Sequence, residues 1–303
     1  MNYYQAYGLI IKSELVLDEL ITVEEQAFDI ELLINKIPDH IEQEVGENRT
    51  RGFDTSEIWF KVANIGLFYI KEGRQIIIKP ELEASLVRVN QFIYGRCFAF
   101  ALLQRNIVAL HGATVNLSGE AVMIVGHSGA GKSTLTSALR QDGHGFICDD
   151  VSPIDHQFMG RLCVTPAFPV QRVHQSIMEQ QNYDLTEHDY IDYGDDKRIY
   201  LVSTRDQFAK NPIPLKVIVE IQPAEGTEVS LEELKGQEKI HTVYRNIFGS
   251  SARAKIGLNA EYFKKCTEIA KQIPIYRMTR PINQYTVPKQ KELLYQVLVK
   301  KAG

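Results

Sequence analysis

The chain has 303 residues, of which 44% are hydrophobic and 24% are charged, and its formal net charge is −4. This composition is typical of a folded protein large enough for two domains. The small acidic excess excludes the strongly basic surface of a nucleic-acid or membrane-surface binder. The four cysteines form no CxxC or Cys/His pair, so we expect no zinc site and a reducing, cytoplasmic environment. The opening residues lack the basic and apolar segments of a signal peptide.

The first 80 residues predict a small β-rich domain. Short runs that are apolar or alternate with polar residues, such as 6–15 and 28–34, have the pattern of strands. Two further runs flank residues 71–74, which predicts a hairpin turn. We therefore assign residues 1–80 to a β-rich N-terminal domain and residues 81–303 to a larger second domain.

A helix and a hairpin are expected next. Apolar residues at helical spacing predict one long connecting helix over residues 81–105. The runs 108–117 and 121–126 predict a β-hairpin with a Ser-Gly turn. Residues 132–143 then predict a helix of about three turns, which a glycine ends.

The rest of the chain also alternates between strands and helices. Residues 145–150 predict a short buried strand that ends in two carboxylates, and 161–173 a strand that two prolines interrupt. Residues 179–198 are polar and acidic and predict a loop. Two interpretations of this loop remain open: a mobile solvated segment, or a cover that orders over a site when substrate binds. The tail predicts further helices and strands, ending in a helix.

The segment between the hairpin and the following helix contains the phosphate-binding pattern G-x-x-x-x-G-K-[ST]. It spans Gly126 to Ser133, after a β-branched strand and before a helix, which is the context this motif requires. Glycines allow backbone N–H groups to approach a polyphosphate, and the positive end of the helix points at the same anion. Lys132 supplies a cation for the β and γ phosphates, and the Ser133 hydroxyl is a Mg²⁺ ligand. The motif alone therefore predicts binding of a nucleoside triphosphate, which we expect to be ATP, with Mg²⁺ in an α/β P-loop core.

Three neighbouring features bear on the reaction. Asp149 and Asp150 end a strand one strand–helix unit after the loop, where one carboxylate would hold Mg²⁺ and the other would accept a proton from an attacking hydroxyl. His111 lies near one end of the predicted strand 108–117, where a histidine on its own is more often an ordinary packed or capped residue. Arg198, with its neighbouring lysine, is either a solvated cation or a group that stabilises charge on the transferred phosphoryl.

Taken together, residues 106–155 resemble the catalytic domain of the HPr serine kinase/phosphorylase family. The stretch LHGATVNLSGEAVMIVGHSGAGKSTLTSALRQDGHGFICDDVSPI has the His-Gly strand, hairpin, loop, helix and Asp-Asp strand end in the same order. The resemblance implies a P-loop kinase core of the HPr kinase catalytic-domain type. It implies that Asp149 is the base, Asp150 a supporting acid and His111 a phosphate-side residue. It also implies a serine-bearing peptide or protein acceptor and, since that family forms rings, a homo-oligomer.

The chain also departs from that family. The Glu-x-Arg-Gly-type signature that follows the Asp pair there is absent from the corresponding stretch, RLCVTPAFPVQRV. The opening AYGLIIKSELVLDEL instead resembles diverged HPr-kinase-like proteins associated with lasso-peptide biosynthesis. That branch implies phosphorylation of a serine near the C-terminus of a ribosomal precursor peptide. The missing signature leaves phosphorylase activity, and HPr as the acceptor, without support from the sequence.

The candidate residues fall into three groups. The catalytic candidates are Asp149, Asp150, Lys132, His111 and Arg198. The nucleotide-binding candidates are Gly126, His127, Ser128, Gly129, Ala130, Gly131, Lys132, Ser133 and Thr134. The Mg²⁺ candidates are Ser133 and Asp150. Alternative functions that the motif alone leaves open are an HPr-directed regulator, a small-metabolite kinase and a nucleotide-switch ATPase.

Overall fold

The computed structural model describes residues 1–46, 49–158, 160–194, 197–249, 256, 257 and 259–300. Two compact units make up the chain. Unit 1 comprises Met1–Ala109 with Phe248–Lys264, and unit 2 comprises Leu110–Ile247 with Lys265–Gly303. Among the described residues, no helix is both long and apolar enough to span a membrane.

Strands dominate both units, and helices flank them. The strands are β1 (Asn2–Ala6), β2 (Leu9–Ser13), β3 (Ile21–Thr22), β4 (Ile30–Ile34), β5 (Arg51–Phe53), β6 (Glu57–Val62), β7 (Gly66–Lys71), β8 (Gln75–Pro80), β9 (Val108–Leu117), β10 (Glu120–Val125), β11 (Gly145–Cys148), β12 (Val151–Phe158), β13 (Arg161–Val164), β14 (Val170–His174), β15 (Tyr190–Asp192), β16 (Arg198–Ser203), β17 (Ile213–Ala224), β18 (Ser230–Glu233) and β19 (Ile275–Pro281). The α-helices are α1 (Asp39–Gly46), α2 (Leu86–Phe92), α3 (Phe98–Gln104), α4 (Lys132–Gln141), α5 (Gln175–Gln180), α6 (Gln237–Arg245), α7 (Ala260–Gln272) and α8 (Val287–Lys300). The prediction of an α/β fold with a β-rich N-terminal part is confirmed.

Unit 1 is built on an eight-stranded sheet with the order β3-β1-β2-β4-β8-β7-β6-β5. Successive side chains of a strand point to opposite faces, and β6 shows this with two aromatic residues. Trp59 packs in a cluster with Ile41 of α1 on one face. Phe60 stacks on Phe68, with ring centroids 4.9 Å apart, and meets Phe100 of α3 at 5.9 Å on the other. Helices therefore cover both faces of this sheet.

The long connecting helix expected over 81–105 begins at Leu86. It continues through α2, a π-helical turn over Ile93–Cys97, and α3. The hairpin expected at 71–74 joins β7 to β8, and Lys71 pairs with Gln75 across it. The boundary proposed at residue 80 coincides with the last strand of the N-terminal sheet, whereas the compact unit extends to Ala109.

Unit 2 contains a second eight-stranded sheet. Its main path runs β10-β9-β12-β13-β17-β19-β18, with β11 paired to β9 and β10 paired to β17. The central strands β10, β17 and β19 are parallel to one another. Their carboxyl ends therefore lie at one edge of the sheet, which is the edge where open α/β sheets bind ligands.

Helices α4 and α8 cover one face of this sheet. Leu135 and Leu139 of α4 pack with Val287 and Leu294 of α8 against buried residues of the central strands. An amphipathic helix buries its apolar stripe in this way and leaves its polar face to solvent. The predicted helix at 132–143 and the predicted C-terminal helix are both confirmed.

The acidic stretch 179–198, expected to be a loop, is not simply a loop. Tyr190–Asp192 forms strand β15, which pairs with β16, and β16 pairs in turn with β14 in a three-stranded sheet. Ile191 is buried between two exposed neighbours, so the alternation that marks a strand covers only three residues. An alternation over three residues is too short to predict a strand from the sequence, whereas the pairing with β16 defines β15 in the fold. Asp195 and Asp196 lie outside the described residues.

Candidate active site

Three chain segments meet at the ligand-binding edge of the unit 2 sheet. The antiparallel pairing of β9 with β10 sets Gly112 opposite Val125, directly before the phosphate loop. The antiparallel pairing of β11 with β9 makes β11 run in the same direction as β10, so Asp149 and Asp150 follow its carboxyl end. The backbone N–H of Gly112 donates to the carbonyl oxygen of Asp150 (3.0 Å). Strand pairing thus brings His111, the loop and the two aspartates together.

The loop has the backbone of a phosphate cradle. Gly131 has a left-handed backbone (φ 108°) and caps the N-terminus of α4. The Nζ of Lys132 donates to the carbonyl oxygens of Gly126 (2.9 Å) and His127 (3.2 Å), which holds this buried ammonium inside the loop. Burial lowers the pKa of Lys132, against the opposing charges of Asp150 and then Asp149. A buried cation that faces two carboxylates is suited to grip a polyphosphate.

Arg280, at the end of β19, holds the outer side of the loop. Its Nε donates to the carbonyl oxygen of Ala130 (2.7 Å), and Nη2 donates to that of Gly129 (3.3 Å). Its Nη1 donates to the carbonyl oxygens of Pro281 (2.9 Å) and Ile282 (3.4 Å). Because Arg280 pairs with these loop carbonyls, it fixes the loop against the segment that follows β19. The sequence analysis missed this residue, which is 150 positions from the loop.

We expect Gly126→Ala to destabilise the protein by about 1–3 kcal/mol. The backbone at Gly126 has φ 144°, and an added Cβ would lie 2.7 Å from the carbonyl oxygen of Ile221 in β17. Gly46→Ala is the control, since a Cβ there would meet nothing within 4 Å. Urea denaturation of the two variants measures the difference. Equal stabilities would show that the loop is free to move away from β17.

The two aspartates occupy different environments. Asp149 is 6% exposed, and its Oδ2 accepts a hydrogen bond from the backbone N–H of Arg172 (2.9 Å). Burial, and next the charge of Asp150, raise the pKa of Asp149 to about 7. Asp150 is exposed and has φ 60°, an uncommon backbone for a residue other than glycine. A buried carboxyl with a pKa near neutrality has the chemistry of a general base, and an exposed one has the chemistry of a Mg²⁺ ligand.

The raised pKa of Asp149 has a consequence for stability. Between its ordinary value of 3.8 and about 7, the unfolded chain has lost this proton while the folded chain retains it. The free energy of unfolding should therefore fall as pH rises through this range. Asp149→Asn removes the effect, so in the ligand-free protein it should raise the melting temperature at about pH 8 more than at about pH 4.5.

Asp142→Asn is a control for which the pH dependence of stability should have the opposite sign. Although desolvation opposes them, hydrogen bonds from Lys291 and Tyr295 lower the pKa of Asp142. Its contribution to stability is present at neutral pH and lost in acid. Asp142→Asn should therefore lower the melting temperature more at neutral pH than in acid. Parallel pH dependence in the two variants would contradict the assignment of Asp149 as the destabilising group.

His111 is half-buried beside the aspartates. Its backbone N–H donates to the carbonyl oxygen of Asn246 (2.6 Å). Burial lowers the pKa of His111, the charge of Asp150 opposes this, and Lys132 and His127 add to the lowering. The imidazole therefore lies within electrostatic reach of both the loop and Asp150, and burial favours its neutral form.

The other candidate residues lie in different settings. His127, Ser128 and Gly129 are exposed along the loop, Ala130 is buried, and Ser133 and Thr134 are half-buried in the first turn of α4. Arg198 begins β16, where its Nε lies 3.6 Å from Asp192 and its guanidinium lies over Tyr190. The structure thus brings together the loop, the aspartates and His111, and it gives Arg198 contacts within the three-stranded sheet.

Two further charged groups near the site escaped the sequence analysis. Arg172 of β14 donates to Asp149 through its backbone, and its charge counters the raised pKa of that carboxyl. Glu220 of β17 is 2% exposed, lies beside Val125 in register, and accepts hydrogen bonds from Arg245 (2.6 Å) and Asn246 (3.1 Å). In the sequence, Glu220 stands out only as the charged residue within the apolar run 217–221. Nothing local marked Arg172.

The donor set agrees with ATP and Mg²⁺. Within the described part of the chain, no group of three or more His, Cys, Asp or Glu residues is arranged to hold a metal ion. Mg²⁺ is usually held by one or two carboxylates together with water and substrate phosphates. The Ser133 hydroxyl and Asp150 fit that mode.

Comparison with known proteins agrees with this core. Residues 103–176 match the family described as HPr Serine kinase C-terminal domain. The HPr kinase/phosphorylase of Clostridium beijerinckii is 30% identical over 130 residues, which cover 41% of this chain and 42% of that protein. The enzymes of the same name from Azoarcus sp. and Aromatoleum aromaticum are 46% identical over 44 residues, or 14% of each protein. The chain thus aligns with less than half the length of these distant relatives.

One solved structure is also similar. The HPr(Ser) kinase/phosphatase from Coxiella burnetii aligns with 64% of this chain and 99% of its own, at 15% identity and a TM-score of 0.34. The resemblance expected for residues 106–155 is confirmed, since these residues lie within the matched stretch 103–176.

Proposed function

We propose that this protein is an ATP- and Mg²⁺-dependent kinase that phosphorylates a serine hydroxyl of a peptide or protein. The observation that carries the proposal is the placement of buried Asp149 at the strand end beside the phosphate loop. There a carboxyl with a raised pKa lies within electrostatic reach of Lys132. Such an arrangement supports proton removal from a hydroxyl next to the phosphates.

Each residue has a role in this proposal. ATP supplies the transferable phosphoryl group when bound, and Mg²⁺ neutralises its charge. The loop N–H groups and Lys132 bind and orient the phosphates. Ser133 and Asp150 would hold the metal, and Asp149 accepts the serine proton as the serine oxygen bonds to the γ phosphorus and ADP leaves. Neutral His111 lies on the phosphate side, where it donates or accepts a hydrogen bond without adding charge.

The favoured acceptor is the serine near the C-terminus of a lasso-peptide precursor. Support comes from the opening AYGLIIKSELVLDEL and from the absence of the Glu-x-Arg-Gly-type signature after the Asp pair. The test is incubation with γ-labelled ATP, Mg²⁺ and a precursor peptide encoded beside this gene, followed by mapping of the phosphosite by mass spectrometry. Labelled serine on the peptide is the expected outcome.

A second candidate acceptor is the protein HPr. It is favoured by the 30% identity to the Clostridium HPr kinase/phosphorylase over 130 residues. HPr therefore forms a parallel arm of the same assay. Transfer to HPr and not to the peptide would reassign the acceptor but keep the kinase, while rapid ATP hydrolysis with neither acceptor labelled would contradict the kinase proposal itself.

The N-terminal sheet is a candidate site of acceptor recognition by addition of a peptide strand. Its two edge strands are short, with two residues in β3 and three in β5. The proposal predicts that acceptor peptide slows amide hydrogen exchange at one of these edges. Unchanged exchange at both edges under saturating peptide would refute it.

A further inference from the structure

A cavity in unit 2 adjoins the phosphate loop. Its volume is about 280 Å³, and its lining includes Gly131 and Thr134 at the start of α4 and Tyr285 and Gln290 at the start of α8. Ligand pockets usually occupy about 300–1,000 Å³, so this cavity suits one part of a ligand. Lys132, Asp149, Asp150 and His111 do not line it.

Hydrogen bonds on two sides of the cavity tie its walls to the phosphate loop and to α4. Arg280, which also lines it, bridges the loop carbonyls and the carbonyls of residues 281 and 282. Lys291 and Tyr295 of α8 bond to Asp142 at the end of α4, at 2.8–2.9 Å. The wall that carries Gln290 is thereby tied to the helix that begins in the loop.

The position of the cavity identifies the part of a nucleotide that would fill it. In a phosphate loop the lysine reaches the β and γ phosphates, and the backbone cradles the α and β phosphates. The γ end therefore faces Lys132 and the aspartates. The nucleoside extends from the other end, where Gly131 and Thr134 border the cavity.

Among the polar residues that line this cavity, Gln290 alone is buried. It is 2% exposed, and its Nε2 donates to the hydroxyl of Thr286 (2.9 Å). Its Oε1 is buried and has no hydrogen-bond partner among the residues that the structure describes. A buried acceptor without a partner keeps the cost of its lost hydration. A ligand that brings a donor to this atom removes that cost.

We infer that this cavity holds the purine base of the nucleotide and that Gln290 is a specificity-determining residue whose Oε1 accepts a hydrogen bond from the 6-amino group of adenine. The inference rests on the proposed function, since it needs the triphosphate in the loop. While Nε2 stays bonded to the Thr286 hydroxyl, a 6-oxo purine brings an acceptor to Oε1 and leaves both oxygens unpaired, so the site discriminates against it. The exposed ring of Tyr285 offers a face for stacking on the base.

The test is a competition assay that measures the affinities of Mg²⁺-bound ATP, ITP and inorganic tripolyphosphate for the full chain. The wild type should bind ATP about ten-fold or more tighter than ITP, because one hydrogen bond is exchanged for an unpaired acceptor. Tripolyphosphate, which lacks a base, should bind more weakly than ATP. Gln290→Met keeps a flexible side chain of similar length and should reduce the ATP/ITP ratio to about one, leaving tripolyphosphate affinity unchanged.

Two further variants keep the test decisive. Thr286→Val removes the anchor of the Gln290 amide, so the ATP/ITP ratio should fall while Gln290 remains in the core. Gln296→Met, an exposed position farther along α8, should leave the ratio as in the wild type. An unchanged ratio in both Gln290→Met and Thr286→Val, or equal wild-type affinities for ATP and tripolyphosphate, would overturn the base site but not the kinase. Failure of all three ligands to bind would overturn both.

Discussion

Asp149→Asn should lower the rate of phosphoryl transfer to a serine acceptor by about 10²–10⁴-fold, the range typical of a lost general base. The amide keeps the size of the side chain, and its oxygen still accepts from the backbone N–H of Arg172. It does not take up the proton of the acceptor hydroxyl. Because Asp150, Ser133 and the loop are unchanged, affinity for Mg²⁺-ATP should stay within a few-fold of the wild type, as calorimetric titration would measure.

The control for this prediction is Asp206→Asn, which removes an exposed carboxylate of the same unit. Its transfer rate and nucleotide affinity should match those of the wild type. If Asp149→Asn retained a near-normal rate, the base would lie elsewhere. If it instead lost Mg²⁺-ATP binding with the fold intact, Asp149 would be a metal ligand.

Lys132→Met should weaken ATP binding by at least about ten-fold and lower transfer by about 10²–10³-fold, since the cation on the β and γ phosphates acts on both ground and transition states. In the ligand-free protein, methionine removes a buried charge and also the two hydrogen bonds to the carbonyl oxygens of Gly126 and His127. Burial lowers the pKa of Lys132, so the folded environment disfavours the charge that methionine removes. A binding assay and a melting curve on the same sample separate the two effects.

Lys216→Met is the matched control. Its Nζ pairs with Glu120 (3.0 Å) where β10 and β17 begin, at the opposite end of the strands from the loop. Lys216 and Glu120 are half-buried. An ion pair near the surface contributes about 0–1 kcal/mol, so the loss of this one should leave the fold and ATP binding intact. Normal ATP affinity in Lys132→Met would mean that the loop does not hold the triphosphate, and the kinase proposal would fail.

The two aspartates of the site, Asp149 and Asp150, lie in different environments. Buried Asp149 gains proton affinity from its surroundings, while exposed Asp150 is accessible to a cation. Adjacent carboxylates whose environments differ in this way are suited to different roles. A phosphorylated serine rather than released phosphate is therefore the product that the proposal expects.

Local sequence by itself determined the phosphate loop, its strand and its helix. The loop geometry depends on a few consecutive residues, in which glycines allow backbone angles that other residues avoid. The hairpin at Ser118-Gly119 and the strand end at Asp149 were also predictable, because turn residues and an apolar run mark them directly. The role of Arg198 remains a prediction, since a pair of basic residues carries no spatial information.

Tertiary structure decided which distant groups join the site. Arg280, Glu220 and Gln290 are more than 80 positions from the loop, and the register of parallel strands and the packing of α8 on α4 bring them to it. Strand β15 likewise exists because β16 pairs with it. Sequence periodicity reports which face of an element is buried, but not which other element covers it. The partners of a residue are set by long-range pairing, and only the folded chain contains that information.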